Sequence, residues 1–258
     1  MIYDITTLQK AIETLAGMFQ VDESRIINTG KEKQIADVDL FLKEIEGSLQ
    51  DFDIDDLKIV GIHSTTNNDQ CASIKRTGLI NMKQALSCDS SLNEYLHSNG
   101  IYIDIYTKKL TYQNKSYNLV DQGNSKLHYK IFGDYQLDCF LTLRENRPYD
   151  GALRARPKVL SEIEKYVGLK GLHQGWIDQS TPYMIKFIDR ASNFNPYSFS
   201  ADGSEVGMKT ALVYYALMVI SSHQQIDVQI DLASEYQVTP EHILEIIPIC
   251  EQKEQLCI

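Results

Sequence analysis

Apolar residues recur at steps of three and four along residues 5–19, ITTLQKAIETLAGMF, where Leu8, Ile12, Leu15 and Phe19 share one face. That period predicts an amphipathic helix. The spacing returns in EKQIADVDLFLKEIEGSL through Ile35, Val38, Leu42, Ile45 and Leu49 and predicts a second helix, until charge breaks the pattern at QDFDIDD. Residues 1–55 thus read as an N-terminal helical extension that carries no chemistry of its own.

From Leu57 the texture changes. LKIVGIH reads as a buried strand, and NNDQCASIKRTGL as a short helix stopped by Gly78. IYIDIY, LTYQNKSYNLV and HYKIFGDYQLDCFLTL alternate β-branched and aromatic residues with polar ones and predict strands joined by Asn/Lys and Gly/Asp turns. RPKVLSEIEKYVG predicts a helix with Pro157 in its first turn and Gly168 at its end. YMIKFIDRA, YSFSAD and IDVQIDL predict further strands, and SEVGMKTALVYYALMVISS a long, well-buried helix. TPEHILEII reads as a helical turn leading into an apolar strand. Helices and strands do not alternate regularly, which favours an α+β fold over a doubly wound one.

Composition narrows the classes of function. The 258 residues suffice for one large domain, or one domain with an accessory piece. A net charge of −10 argues against a broad basic face for nucleic acid. No run of 18 apolar residues and no signal-peptide pattern occurs, so no membrane partner is expected. Five scattered cysteines without a CxxC pair point to neither a disulfide framework nor a zinc site, and fit a reducing cytoplasm. Neither GxGxxG nor GxxxxGK is present.

Three separated stretches carry a resemblance. The first is His63-Ser64-Thr65 on the predicted strand, followed by Ala72, Ser73 and Ile74 and then Gly78 and Leu79. The second is NPYSFSADGSEVGMKTALVYYA, and the third is QQIDVQIDLASEYQVTPEHILEI. In order and rough spacing they are similar to the His-x-Thr strand and helix, the aromatic or Ser-x-Ser segment, and the closing strand of the ADP-ribosyltransferase superfamily, which includes diphtheria-toxin-like enzymes and poly-ADP-ribose polymerases. About half of the chain is covered; residues 80–194 resemble nothing nameable and read as a large central insertion in a domain spanning 56–258.

The resemblance implies a split mixed β-sheet core and NAD as co-substrate, with no metal. ADP-ribose would pass to a macromolecular acceptor, protein or nucleic acid. It implies a cytoplasmic toxin or antiviral defence effector, with an inhibitory antitoxin-like protein as a further partner. His63, Ser64 and Thr65 would grip the donor. One of Tyr197 and Phe199, predicted to share a strand face, would stack on nicotinamide, with Ser198 and Ser200 on the other face. The family's acid stands near the start of the closing strand; here the candidates are Asp227, then Glu235, with Gln225 beside Asp227 in the alternation.

Each residue also has a plainer reading. His63 could be a satisfied strand-end histidine, Thr65 a cap or turn residue, and the aromatics core packing beside Pro196. Arg144, Arg147, Arg154 and Arg156 concentrate in RENRPYDGALRARP. They read either as a solvated loop or, for Arg154 and Arg156 above all, as a clamp for the donor pyrophosphate or for a target phosphate. Two rivals stay open: an inactive module of the same fold that binds a nucleotide or partner, and an RNA 2′-phosphotransferase-like enzyme. Trp176, the only tryptophan, reads as core or as part of a mobile loop between two glycines.

Overall fold

A computed structural model describes residues 1–32, 37–120, 125–133, 137–144, 157–222 and 226–249. The fold is mixed α+β, with sheets that are mainly antiparallel. The chain divides into two compact units: Met1–His63, Asp138–Arg147 and Lys186–Ser234 form one, and Ser64–Leu137, Pro148–Ile185 and Glu235–Ile258 the other. Residues 1–55 lie wholly in the first unit, and residues 80–194 are divided between the two.

In the first unit, strand β1 (Ile2–Tyr3) pairs parallel with β2 (Lys58–Asn67). Helix α1 (Leu8–Phe19) starts at Thr7, whose hydroxyl accepts the Lys10 N–H, and buries Ile12, Leu15 and Phe19 as their spacing predicts. Two helices follow, α2 (Glu23–Glu32) and α3 (Val38–Ile45), the latter capped by the Asp37 carboxylate. The second predicted helix is therefore shorter than its pattern, and α2 was not foreseen: its apolar residues are too few to show a period. The sheet order here is β8 (Val228–Asp231), β6 (Asp138–Thr142), β2 and β7 (Thr181–Arg190). Gly61 of β2 is required by close packing, since a Cβ there would lie 2.6 Å from the Phe187 ring. The long helix α10, Glu205–Ser222, buries Met208, Leu212, Val213, Ala216 and Leu217, and its Leu212 carbonyl accepts the Tyr3 hydroxyl at 2.8 Å.

The second unit holds α4 (Ala72–Thr77), α5 (Met82–Ala85), α6 (Ser91–Ser98) and α7 (Ser125–Phe132). It also holds α8 (Val159–Val167), α9 (Leu172–Gln179) and an antiparallel sheet of β3 (Ile101–Asp104), β4 (Lys109–Tyr112) and β5 (Lys115–Asn118). Leu96, Ile101, Leu110, Ile131, Leu160 and Trp176 belong to its core. Strand β9 (Ile243–Pro248) follows a single 3-10 turn, Pro240–His242, and Ile249 donates to the Pro182 carbonyl at the start of β7.

Three expectations are corrected. HYKIF is helical, within α7: Leu127 and Ile131, four apart, both enter the core, and this contact outweighs the local alternation. YSFSAD is no strand. The Asn195 carboxamide oxygen accepts the Tyr197 N–H, Pro196 occupies the first turn, and Pro196–Ser198 closes as a 3-10 turn. Tyr197 and Phe199 consequently do not share a face: Tyr197 is 65% exposed and Phe199 only 7%. Trp176 sits on a helix at 1% exposure, edge-on to Tyr95, with its indole N–H donating to the Thr66 hydroxyl at 2.8 Å; the loop reading fails.

Candidate functional site

His63 lies on β2, beside β6, which pairs with it at Ile62 and Phe140. Its Nδ1 is 2.6 Å from the Asp138 backbone carbonyl. A carbonyl only accepts, so Nδ1 carries the proton of this contact. The Asp138 carboxylate lies 3.9 Å from the same nitrogen.

Asp138 is in direct register with Asp231 across the β6–β8 ladder. Residues so paired project from the same face, which sets two carboxylates side by side. Ser198, carried by the 3-10 turn, donates its hydroxyl to Asp231 Oδ2 at 3.4 Å and accepts the Asp231 N–H at 3.1 Å. Gln229 extends its amide toward Asp138 Oδ2 at 3.4 Å. Burial pushes the Asp231 carboxyl above its ordinary range, and the neighbouring Asp138 charge adds to this, while the Ser198 hydrogen bond opposes it. Cys139, next to Asp138 and on the opposite face of β6, is fully buried and its thiol is held far up the scale by burial and by the charges of Asp138 and Asp231, so it offers no thiolate. An imidazole, two carboxylates and a hydroxyl thus converge within the first unit.

The acids named from the sequence are placed differently. Asp227 precedes β8 and is held by Arg144: the backbone N–H and Nε donate at 3.0 and 2.9 Å, and a second guanidinium nitrogen lies 2.8 Å away. That fork compensates its charge. Glu235 belongs to the second unit, has a left-handed backbone (φ 62) and pairs with Lys83 at 3.1 Å. Ser64 is buried; Thr65 is half-buried on β2, its hydroxyl 3.4 Å from the Thr66 carbonyl, and caps no helix. Tyr197 packs its ring over Gly203 and keeps one side open. The Ser200 hydroxyl donates to Asp202 at 2.8 Å. Gln225, Arg147, Arg154 and Arg156 lie outside the described residues.

Asp138 and Asp231 were not singled out from the sequence. Their signal is weak: each is an acid at the end of a short apolar strand, and only the strand register shows that they meet. Among the described residues no cluster of His, Cys, Asp or Glu could hold a metal ion, and no helix is long and apolar enough to cross a membrane. No protein-family model, curated protein or solved structure matches the chain.

Proposed function

We propose that the chain is an ADP-ribosyltransferase-like protein that binds NAD at the His63 strand and transfers ADP-ribose to a macromolecular acceptor. The observation that carries this reading is the meeting of His63, Asp138, Asp231 and Ser198 on β2, β6, β8 and the adjoining turn. An imidazole on this strand can hydrogen-bond a ribose hydroxyl. Tyr197 offers an aromatic face for the nicotinamide ring.

The reaction breaks the bond between the ribose anomeric carbon and the nicotinamide nitrogen. The electron pair leaves with neutral nicotinamide, and the sugar becomes cationic. A carboxylate fixed nearby stabilises that charge as it develops. The acceptor's nucleophilic atom then bonds to the anomeric carbon and releases its proton to solvent or a base. Asp231 is the better placed acid for this role, because Asp227 already faces the Arg144 guanidinium. The closed Arg144–Asp227 pair is also the observation that favours the rival reading, a module that binds NAD without cleaving it.

Nicotinamide release and NAD affinity, measured on the same samples, decide between these. Asp231→Asn should lower release about 100-fold with little change in affinity, since the charge matters mainly in the transition state. His63→Ala should weaken NAD binding by about 1–3 kcal/mol. If Asp227→Asn is the inactivating change and Asp231→Asn is silent, the acid is Asp227. Wild-type protein that binds NAD and releases no nicotinamide is the binding module, and wild-type protein that does not bind NAD ends the reading.

A further inference from the structure

Strand β9 of the second unit is the last strand of its sheet: it pairs with β7, and among the described residues no strand lies on its other side. The direction of its backbone groups follows from one bond. The Ile249 N–H donates to the Pro182 carbonyl, at the start of β7, at 2.8 Å. Backbone groups alternate in direction along an extended strand. Ile243, Glu245 and Ile247 therefore turn N–H and C=O toward β7, and Leu244, Ile246 and Pro248 turn theirs to the open edge. Pro248, which has no N–H to lose, stands where a strand tolerates proline.

The open edge is apolar as well. Leu244, Ile246 and Pro248 share one face of the strand. Leu244 is 53% exposed, Pro248 is exposed and Ile246 half-buried. Glu245 is the only charge in ILEIIP. Edge strands that stay in water are ordinarily blunted by lysines, by internal prolines, by bulges or by extreme shortness. Strand β9 runs six residues without a lysine, and its only proline is its last residue.

We infer that β9 pairs antiparallel with β9 of a second copy of the chain, about a two-fold axis through Ile246. The strand complements itself in that register. Ile246 and its copy exchange two N–H···O bonds, and each Leu244 N–H reaches the Pro248 carbonyl of the second copy. Leu244 then lies beside Pro248 and Ile246 beside its own copy, an unbroken apolar row across the axis. Charge selects the same register. An axis at Glu245 would set the two carboxylates directly opposite, at a Cα separation of about 4.5 Å, where like charges repel. An axis at Ile246 sets each Glu245 opposite Ile247 instead, and axes nearer either end of the strand shorten the ladder. Each copy uses its β9 edge once, so the assembly closes at two. The inference goes beyond ADP-ribosyl transfer and does not rest on it: pairing here needs neither NAD nor the His63 site.

The test is sedimentation velocity of the full chain over a range of concentrations, without NAD. A contact one strand wide lies at the small end of interface sizes, so half-dimerisation is expected at about 10–100 µM. Leu244→Lys leaves the bonds to β7 in place and adds an edge lysine; it should raise that concentration at least about 10-fold. Ile246→Pro should do the same by removing the N–H on the axis, at a position whose N–H does not serve β7. Thermal melts of both variants, at concentrations where wild type is monomeric, show that the monomer fold is kept. Glu245→Gln should change the midpoint less than about 3-fold, because the carboxylates do not meet; a gain of about 10-fold would place the axis at Glu245 and overturn this register. A wild-type chain still monomeric at about 300 µM overturns the inference and leaves the edge to an extended segment of another protein. So does dimerisation that Leu244→Lys and Ile246→Pro both leave unchanged.

Discussion

Asp231→Asn tests the carboxylate pair by a route that needs no knowledge of the ligand. In the ladder Asp231 is directly opposite Asp138, where side-chain origins lie about 4.5–5.5 Å apart and like charges destabilise by about 0.2–1 kcal/mol. The amide keeps the shape, can still accept the Ser198 hydroxyl, and leaves the bond from the Asp231 backbone N–H to Ser198 untouched. Only the charge goes. At pH 7 the variant should therefore be more stable than wild type by that amount, a rise in Tm of up to about 4 °C for a chain of this size. The pH dependence ties the effect to the Asp231 charge, which burial disfavours first and the Asp138 charge second. Folding raises the pKa of Asp231, so the folded state favours its protonated form. The wild-type group is not penalised below its unfolded value of about 3.9, and its penalty grows as pH rises through the higher folded value. The Tm difference between variant and wild type should be near zero at about pH 3.5 and widen to a plateau toward neutrality. Thermal melts followed by circular dichroism across that range give the curve. A variant that is less stable at pH 7, by an amount independent of pH, would refute the repulsion and make Asp231 a hydrogen-bonding residue whose charge is incidental.

Three further outcomes follow from the packing. Gly78→Ala should lower stability by about 1–3 kcal/mol or more, because Gly78 sits at φ +81 and a Cβ would collide with the Val238 carbonyl oxygen; an unchanged denaturation midpoint would mean this turn moves at no cost. Trp176→Phe should cost about 1–3 kcal/mol by leaving the Thr66 hydroxyl without its indole partner, and wild-type fluorescence, from this tryptophan alone, should be blue-shifted in the native state and move to the red on unfolding. Arg144→Ala should cost under about 1 kcal/mol, less at high salt, since the guanidinium is largely exposed; a several-fold gain in nicotinamide release would show that Arg144 restrains Asp227 as an acid.

Much of the secondary structure was legible where one period dominates. Helix α1 follows the three-four spacing of Ile12, Leu15 and Phe19, and β7 buries Tyr183, Ile185, Phe187 and Asp189 at every second residue. The stops at Gly78 and Gly168 were legible too, because positive φ (81 and 72) restricts the choice of residue. YSFSAD misled because serine and aromatic residues alternate in a turn as readily as in a strand. The deciding hydrogen bond, from the Tyr197 N–H to Asn195, depends on backbone geometry rather than on alternation.

The sequence by itself determined the mixed α+β class, the apolar faces of the long elements and the interest of His63, since these depend on composition, periodicity and neighbours close in the chain. Only the tertiary structure decided which acid stands near that histidine. Asp227 and Asp231 are four residues apart and equal in the alternation of IDVQIDL, so no local rule separates them. Strand pairing does: it sets Asp231 against Asp138, ninety-odd positions earlier, and it leaves Asp227 to Arg144. Register is fixed by burial summed over whole strands, here Cys139 with Ile230 on the covered face, and a shift of one residue would turn every one of these side chains to the other side.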